Sequence, residues 1–321
     1  MIDTQQAYDE LIDHLWDAQR IAFDTEFVPE RTFQPVLCLI QIATDDVYAA
    51  IDTLAIKDLS EFWEIITRED VEIIVHAARA ELEFCQLACG QLPERIFDTQ
   101  LAAGIAGMGY PLSYTKLVKS VTSTNVSSSQ TRTDWERRPL TEAQIAYALD
   151  DVKHLFALQS RIQELLHRFK RIKWYEEEID RLKEHVQSNL DAERSWERTS
   201  GSGSLPPRGL AILRELVKWR RQRAQKLDRP LRQIMRDDQL IEIAKRRPRK
   251  PEDVDGVRGL GQLGQARWAQ AVFTAIEDGL AVPESELPVR KPRSNTHRKT
   301  DSAHKLLGAT LKQAASDHQI A

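Results

Sequence analysis

A chain of 321 residues, 41% of them hydrophobic, is long enough for two cores. Its mean hydropathy of -0.46 and the lack of an apolar run near 20 residues exclude a bilayer-spanning helix. Three cysteines exclude a disulfide framework. The start MIDTQQAYDE lacks the basic-then-apolar layout of a secretory leader, so a reducing, cytoplasmic setting is expected. The net charge of -4 is unevenly spread. Arg208–Lys250 carries fifteen Lys or Arg against five Asp or Glu, which leaves the remainder near -14. An acidic body with a basic module suits an enzyme whose carboxylates bind metal while another part holds a polyanion.

In chain order, residues 20–27 (RIAFDTEF), residues 37–43 (LCLIQIA) and Val47–Ile51 read as strands. Leu59–Ile66 reads as a helix, Val71–Val75 as a short buried strand, residues 79–89 as a helix and Arg95–Asp98 as an extended piece. Thr99–Met108 is predicted helical. Thr141–Leu165 is predicted as one long helix opened by a capping box, Thr141 with Gln144 three residues on. Strands first, then interleaved helices, predict an α/β domain with a mixed sheet. It should occupy residues 1–198, the last part (166–198) being a helical connector. Thr199–Pro207 (TSGSGSLPP) reads as a linker. Residues 208–282 then form a small all-α domain, with helices over Gly209–Leu227, Arg236–Arg246, Val254–Val257 and Leu263–Leu280. Residues 283–321 read as a basic disordered tail, with a further helix allowed over Ala303–His318.

Three carboxylate-bearing segments carry the chemistry. In a strand, residues i and i+2 share a face, so Asp24 and Glu26 point one way and Thr25 the other. Two carboxylates on one face with no basic neighbour favour a cation between them. Tyr147 and Asp151, four apart on a helix, stack on one face. Glu81 sits in HAARAELEF (76–84). An Asp and Glu cluster without a His partner set suits hard Mg²⁺ or Mn²⁺. Two such ions would activate a water and stabilise the leaving oxygen of a phosphodiester. A phenol, ordinarily ionising near pH 10, would orient that water rather than deprotonate it.

These segments resemble the ribonuclease D family of 3′–5′ exonucleases. The resemblance rests on FDTEF (23–27), LIQIA (39–43), HAARAELEF (76–84), FDTQ (97–100) and TRTDWERRPLTEAQIAYALDDV (131–152). LVKWRRQRAQKLDRP (216–230), the Leu240–Arg246 helix with Pro248, and VRGLG (257–261) resemble the helicase-and-ribonuclease-D C-terminal domain. The resemblance implies a ribonuclease H-like mixed sheet with flanking helices, followed by the small all-α domain. It also implies that Asp24, Glu26, Glu81 and Asp151 ligate two divalent metal ions (Mg²⁺ or Mn²⁺) and that Tyr147 positions water. The implied substrate is RNA with a single-stranded 3′ end, such as tRNA precursors and small structured RNAs, acted on by a monomer.

Two departures stand out. Glu81 replaces the family's Asp, and its extra methylene moves the carboxylate by roughly 1.5 Å. No lysine precedes TRTDW, so Arg132 or Arg138 is a candidate phosphate contact, each set against a structural ion pair. Thr25, Gln41 and His76 are candidate site-wall residues, His76 also reading as a satisfied core imidazole. Lys218, Arg220, Arg221 and Arg223 are candidate RNA contacts of the basic module. Gly259, Gly261 and Gly264 spell a dinucleotide fingerprint but follow no strand, and are discounted. Two rivals share the fold: a 3′–5′ DNA exonuclease, and an RNA-binding protein that has lost turnover through Glu81.

Overall fold

The computed structural model describes residues 1–127, 130, 133–255, 266–288 and 301–318. The chain forms two compact units. The first comprises Met1–Val28, Val36–Gln187 and Thr296–Ala321; the second comprises Pro29–Pro35 and Ser188–Asn295.

In the first unit, helix α1 (Gln5–Trp16) starts where the Thr4 side chain accepts the Ala7 N–H, and it buries Tyr8, Leu11, Ile12 and Leu15. Strands β1 (Arg20–Val28), β2 (Val36–Ala43) and β3 (Tyr48–Asp52) pair antiparallel. After helix α2 (Ser60–Ile66), strand β4 (Glu72–Val75) pairs parallel with β1. Helix α3 (Arg79–Cys89) leads to β5 (Arg95–Asp98), which pairs parallel with β4. The sheet order is β3-β2-β1-β4-β5. Parallel pairing reaches only as far as Ala22 on β1, so the strand end bearing Asp24 and Glu26 is free of β4. This is the mixed sheet that the order of strands and interleaved helices predicts.

Helices α4 (Thr99–Ile105), α5 (Tyr114–Thr122), α6 (Glu142–Lys153), α7 (Leu155–Arg168) and α8 (Ile172–Leu190) follow. The capping box of Thr141 and Gln144 opens α6. The single helix predicted over Thr141–Leu165 is two. At the break, the Tyr114 hydroxyl donates to the Asp150 carbonyl at 2.7 Å and accepts the His154 N–H at 3.3 Å. It thus stands between two groups that would otherwise bond each other, one of the physical causes of a helix break.

The second unit is helical: α9 (Pro207–Leu227), α10 (Leu231–Ile234), α11 (Asp237–Arg246), α12 (Pro251–Asp255) and α13 (Ala266–Ala281). Its core includes Leu213, Leu216, Ile234, Leu240, Ile243, Val272 and Ile276, with Phe33 packed against it. Gly279 lets α13 approach α9 closely; a Cβ there would stand 2.5 Å from Ile212 Cα. Thr199–Pro207 is not an open tether. Thr199 and Ser202 are buried, Leu205 joins the core, and Gly201 turns the chain at φ 90°. The small residues that suggested a linker serve close packing instead. Toward the C-terminus, Glu284–Glu286 forms a 3-10 turn where disorder was expected, and Asp301–Asp317 forms helix α14 over the stretch where a further helix was allowed. Among the described residues no helix is long and apolar enough to cross a membrane.

Candidate active site

Strand β1 and helix α6 bring three of the four expected ligands together. Asp24, Glu26 and Asp151 each offer a carboxylate oxygen within 4.8 Å of the others. Burial raises the Asp24 carboxyl well above the usual carboxylate range, and the charge of Glu81 adds to this. Burial, then Asp24, Asp151 and Glu81, pushes Glu26 up to about 9. Burial and Asp24 push Asp151 up to about 8, although the Tyr147 hydroxyl donates a hydrogen bond to it. Negative charge crowded into low dielectric is costly, and among the described residues the charges acting on Glu26 are all negative.

The residues fit a divalent cation. Three carboxylates supply hard oxygen donors. Gln41 lies opposite Asp24 in the β1–β2 register and is fully buried, with neither amide oxygen nor amide nitrogen partnered among the described residues. A buried amide without partners is rare in a finished structure; beside a carboxylate group it suits a site completed by an ion and its water shell.

Glu81 stands next to this group but outside it. The Thr25 hydroxyl donates to Glu81 Oε1 at 2.8 Å, and both residues are buried. Burial pushes Glu81 up to about 7, with its own backbone N–H and the Thr25 hydroxyl opposing. Thr25 therefore holds Glu81 rather than forming a wall of the site.

Asp98 sets the position of α3. Its carboxylate accepts the N–H groups of Ala77 and Ala78 at 3.0 Å each and caps α4 through Gln100 and Leu101. These bonds hold Ala77 at φ 65°, a conformation a non-glycine residue rarely adopts. The sequence placed Asp98 at the end of an extended piece. Tyr114 was missed altogether, because its partners lie 36 and 40 residues away and leave no local pattern.

The candidate substrate contacts scatter. His76 is within hydrogen-bond distance of Thr99 Oγ1 at 3.0 Å and Gln100 Nε2 at 3.5 Å, and burial lowers its pKa. It is the satisfied imidazole of the second sequence reading. Arg138 is not free for a phosphate. All five of its N–H donors are engaged: by both oxygens of Asp52 and by the carbonyls of Cys38, Trp135 and Arg137. Arg132 and the glycine triplet lie outside the described residues. On α9, Lys218 is exposed, but Arg220 is buried against Asp237 and the Met235 carbonyl. Arg221 lies over Phe33 and Arg223 over Trp268. Turning 100° per residue, α9 cannot present these four on one face.

A mixed sheet carrying an acidic group of this kind defines the class of metal-dependent nucleases. The family model for the 3′–5′ exonuclease domain matches residues 1–167, and that for the HRDC domain matches residues 209–276. Ribonuclease D of Gluconacetobacter diazotrophicus is 32% identical over 323 aligned residues, covering all of this chain and 82% of that protein. Ribonuclease D of Nitrobacter hamburgensis is 34% identical, covering 94% of this chain and 79% of that protein. The crystal structure of Escherichia coli RNase D superposes with a TM-score of 0.88 at 27% identity, covering the whole chain and 85% of that one. The chain belongs to the ribonuclease D family and is a 3′–5′ exoribonuclease.

Proposed function

We propose that this exoribonuclease trims single-stranded RNA 3′ ends, tRNA precursors and other small structured RNAs among them, releasing nucleoside 5′-monophosphates. It would act as a monomer in the cytoplasm. The observation carrying the reading is the convergence of Asp24, Glu26 and Asp151. These three would hold divalent metal, with Glu81 completing the set by turning from Thr25. When bound, two divalent ions supply an activated water and a stabilised leaving oxygen. Tyr147, which donates to Asp151, would orient the attacking water through the same hydroxyl. Gln41, with its amide unpartnered, would hold a water of the ion's shell.

A second reading has one observation behind it. Glu81, held by Thr25, leaves the fourth position unfilled, and the site turns over slowly while RNA still binds. The test is a 5′-labelled single strand beside the same strand ending in a 3′ hairpin, each as RNA and as DNA, with Mn²⁺. Trimming of the RNA single strand to 5′-monophosphates, stalling at the stem, supports the proposal. Equal trimming of DNA, or no trimming with salt-sensitive RNA binding retained in EDTA, rejects it.

A further inference from the structure

The second unit contains a cavity of about 530 Å³ whose lining is strongly basic. Five arginines line it, Arg198, Arg220, Arg221, Arg232 and Arg236, against one acid, Asp237. That acid is already used: it accepts from Arg220 at 2.7 Å and from the Ser200 N–H at 3.0 Å. Arg198 is braced by the carbonyls of Ser188 and Asn189, which orient a guanidinium without neutralising it. Among the described residues no carboxylate pairs with Arg221 or Arg232. Arg236 pairs only with Asp238, and both are largely exposed. Such pairs contribute little and exchange readily.

Among the described residues, two buried polar groups in the lining lack partners. Arg220 is buried, and its Nε–H has no acceptor; Thr199 is buried, and its hydroxyl has none. Guanidinium groups crowded around a hollow repel one another. Burial, and then the charge of Arg198, lower the Arg221 pKa. A compact anion with several acceptor oxygens would match this lining. Planar guanidinium forks match phosphate oxygens in pairs.

We propose that this cavity is a phosphate-binding site in which Arg198, Arg221 and Arg232 engage the oxygens while Arg220 and Thr199 form its floor. The phosphate has two sources with the same chemistry: the backbone of an RNA strand, or a released nucleoside 5′-monophosphate. The first rests on the reading of the substrate as RNA. The set differs from that expected from the sequence. Lys218 and Arg223 do not line the cavity; Arg198 comes from the segment before α9, Arg232 from α10 and Arg236 from the start of α11.

The test uses the full chain and two variants, Arg221→Gln and Arg232→Gln. The second changes an exposed side chain that has no partner among the described residues, and so spares the fold. RNA affinity is measured in EDTA against salt, thermal shifts are measured with AMP and with inorganic phosphate, and dinucleotide hydrolysis is followed with Mn²⁺. A backbone site predicts that each variant binds RNA several-fold more weakly. The slope of log affinity against log salt should then fall by about one per lost phosphate contact. A monophosphate site predicts unchanged RNA affinity, with an AMP or phosphate stabilisation that disappears in both variants. If neither RNA affinity nor the anion-induced shift differs from wild type, the proposal is overturned. Dinucleotide hydrolysis separates the readings: its absence in wild type counts against the catalytic assignment and leaves the cavity measurements standing.

Discussion

Thr25 donates its hydroxyl to Glu81 Oε1 at 2.8 Å, and strand alternation points Thr25 away from Asp24 and Glu26. The longer acid at position 81 is thus held beside the carboxylate group instead of within it. Burial of this pair makes the bond costly to break from one side only. Thr25→Val should lower stability by about 1–3 kcal/mol. Adding Glu81→Leu should recover much of that loss, because both polar partners are then gone. Thermal unfolding of the two variants checks this; a Thr25→Val protein as stable as wild type would contradict it.

Metal binding should release protons. In the metal-free protein, burial and mutual repulsion raise Glu26 to about 9 and Asp151 to about 8. Folded values above the unfolded ones near 4 mean a stability contribution fully present below pH 4 and lost as pH rises through 8 to 9. A cation requires the ionised forms, so Mn²⁺ affinity should rise between pH 6.5 and 9. Calorimetry in buffers of different ionisation heat should show proton release at pH 7 that fades by pH 9.5. Equal heats in both buffers at pH 7 would rule this out.

Arg138 should matter for stability rather than for phosphate binding. Its guanidinium grips both oxygens of Asp52 at 2.6 Å. Burial raises the Asp52 carboxyl, but Arg138 more than reverses this and holds it below the usual range. That contribution is present above the ordinary carboxylate pKa and is lost as pH falls through the lowered folded value. Arg138→Ala should cost about 3 kcal/mol and leave KM for RNA unchanged in the protein that stays folded. An unchanged melting temperature with a raised KM would restore a phosphate role.

The parts legible in the sequence are those with short-range signatures. The short apolar stretches at residues 20–27 and 37–43 place β1 and β2, and the four-residue step from Tyr147 to Asp151 puts both on one face of α6. What escaped depends on distant partners. Arg138 is claimed by Asp52, 86 residues away, and nothing local distinguishes it from a phosphate contact. Thr199–Pro207 has a tether's composition, yet its burial depends on the helices that follow. The arginines of the cavity converge from three separate stretches, so no run of sequence displays them together.

Tyr114 should couple α5 to the site. Its hydroxyl occupies the place of a direct Asp150–His154 backbone bond next to Asp151. Tyr114→Phe lets α6 and α7 close that bond and turns Asp151 relative to Asp24. The expected result is a fall in kcat of about tenfold or more, with a melting temperature within a few degrees of wild type. Undiminished kcat would show that the break does not position Asp151.

The most direct test follows 5′-labelled single-stranded RNA with Mn²⁺ for the wild type, Asp24→Asn and Glu81→Asp. The expected result is a ladder shortening from the 3′ end with wild type and Glu81→Asp, and none with Asp24→Asn. A wild-type protein that leaves the RNA intact while Glu81→Asp degrades it would contradict the assignment of Glu81 as a working fourth ligand.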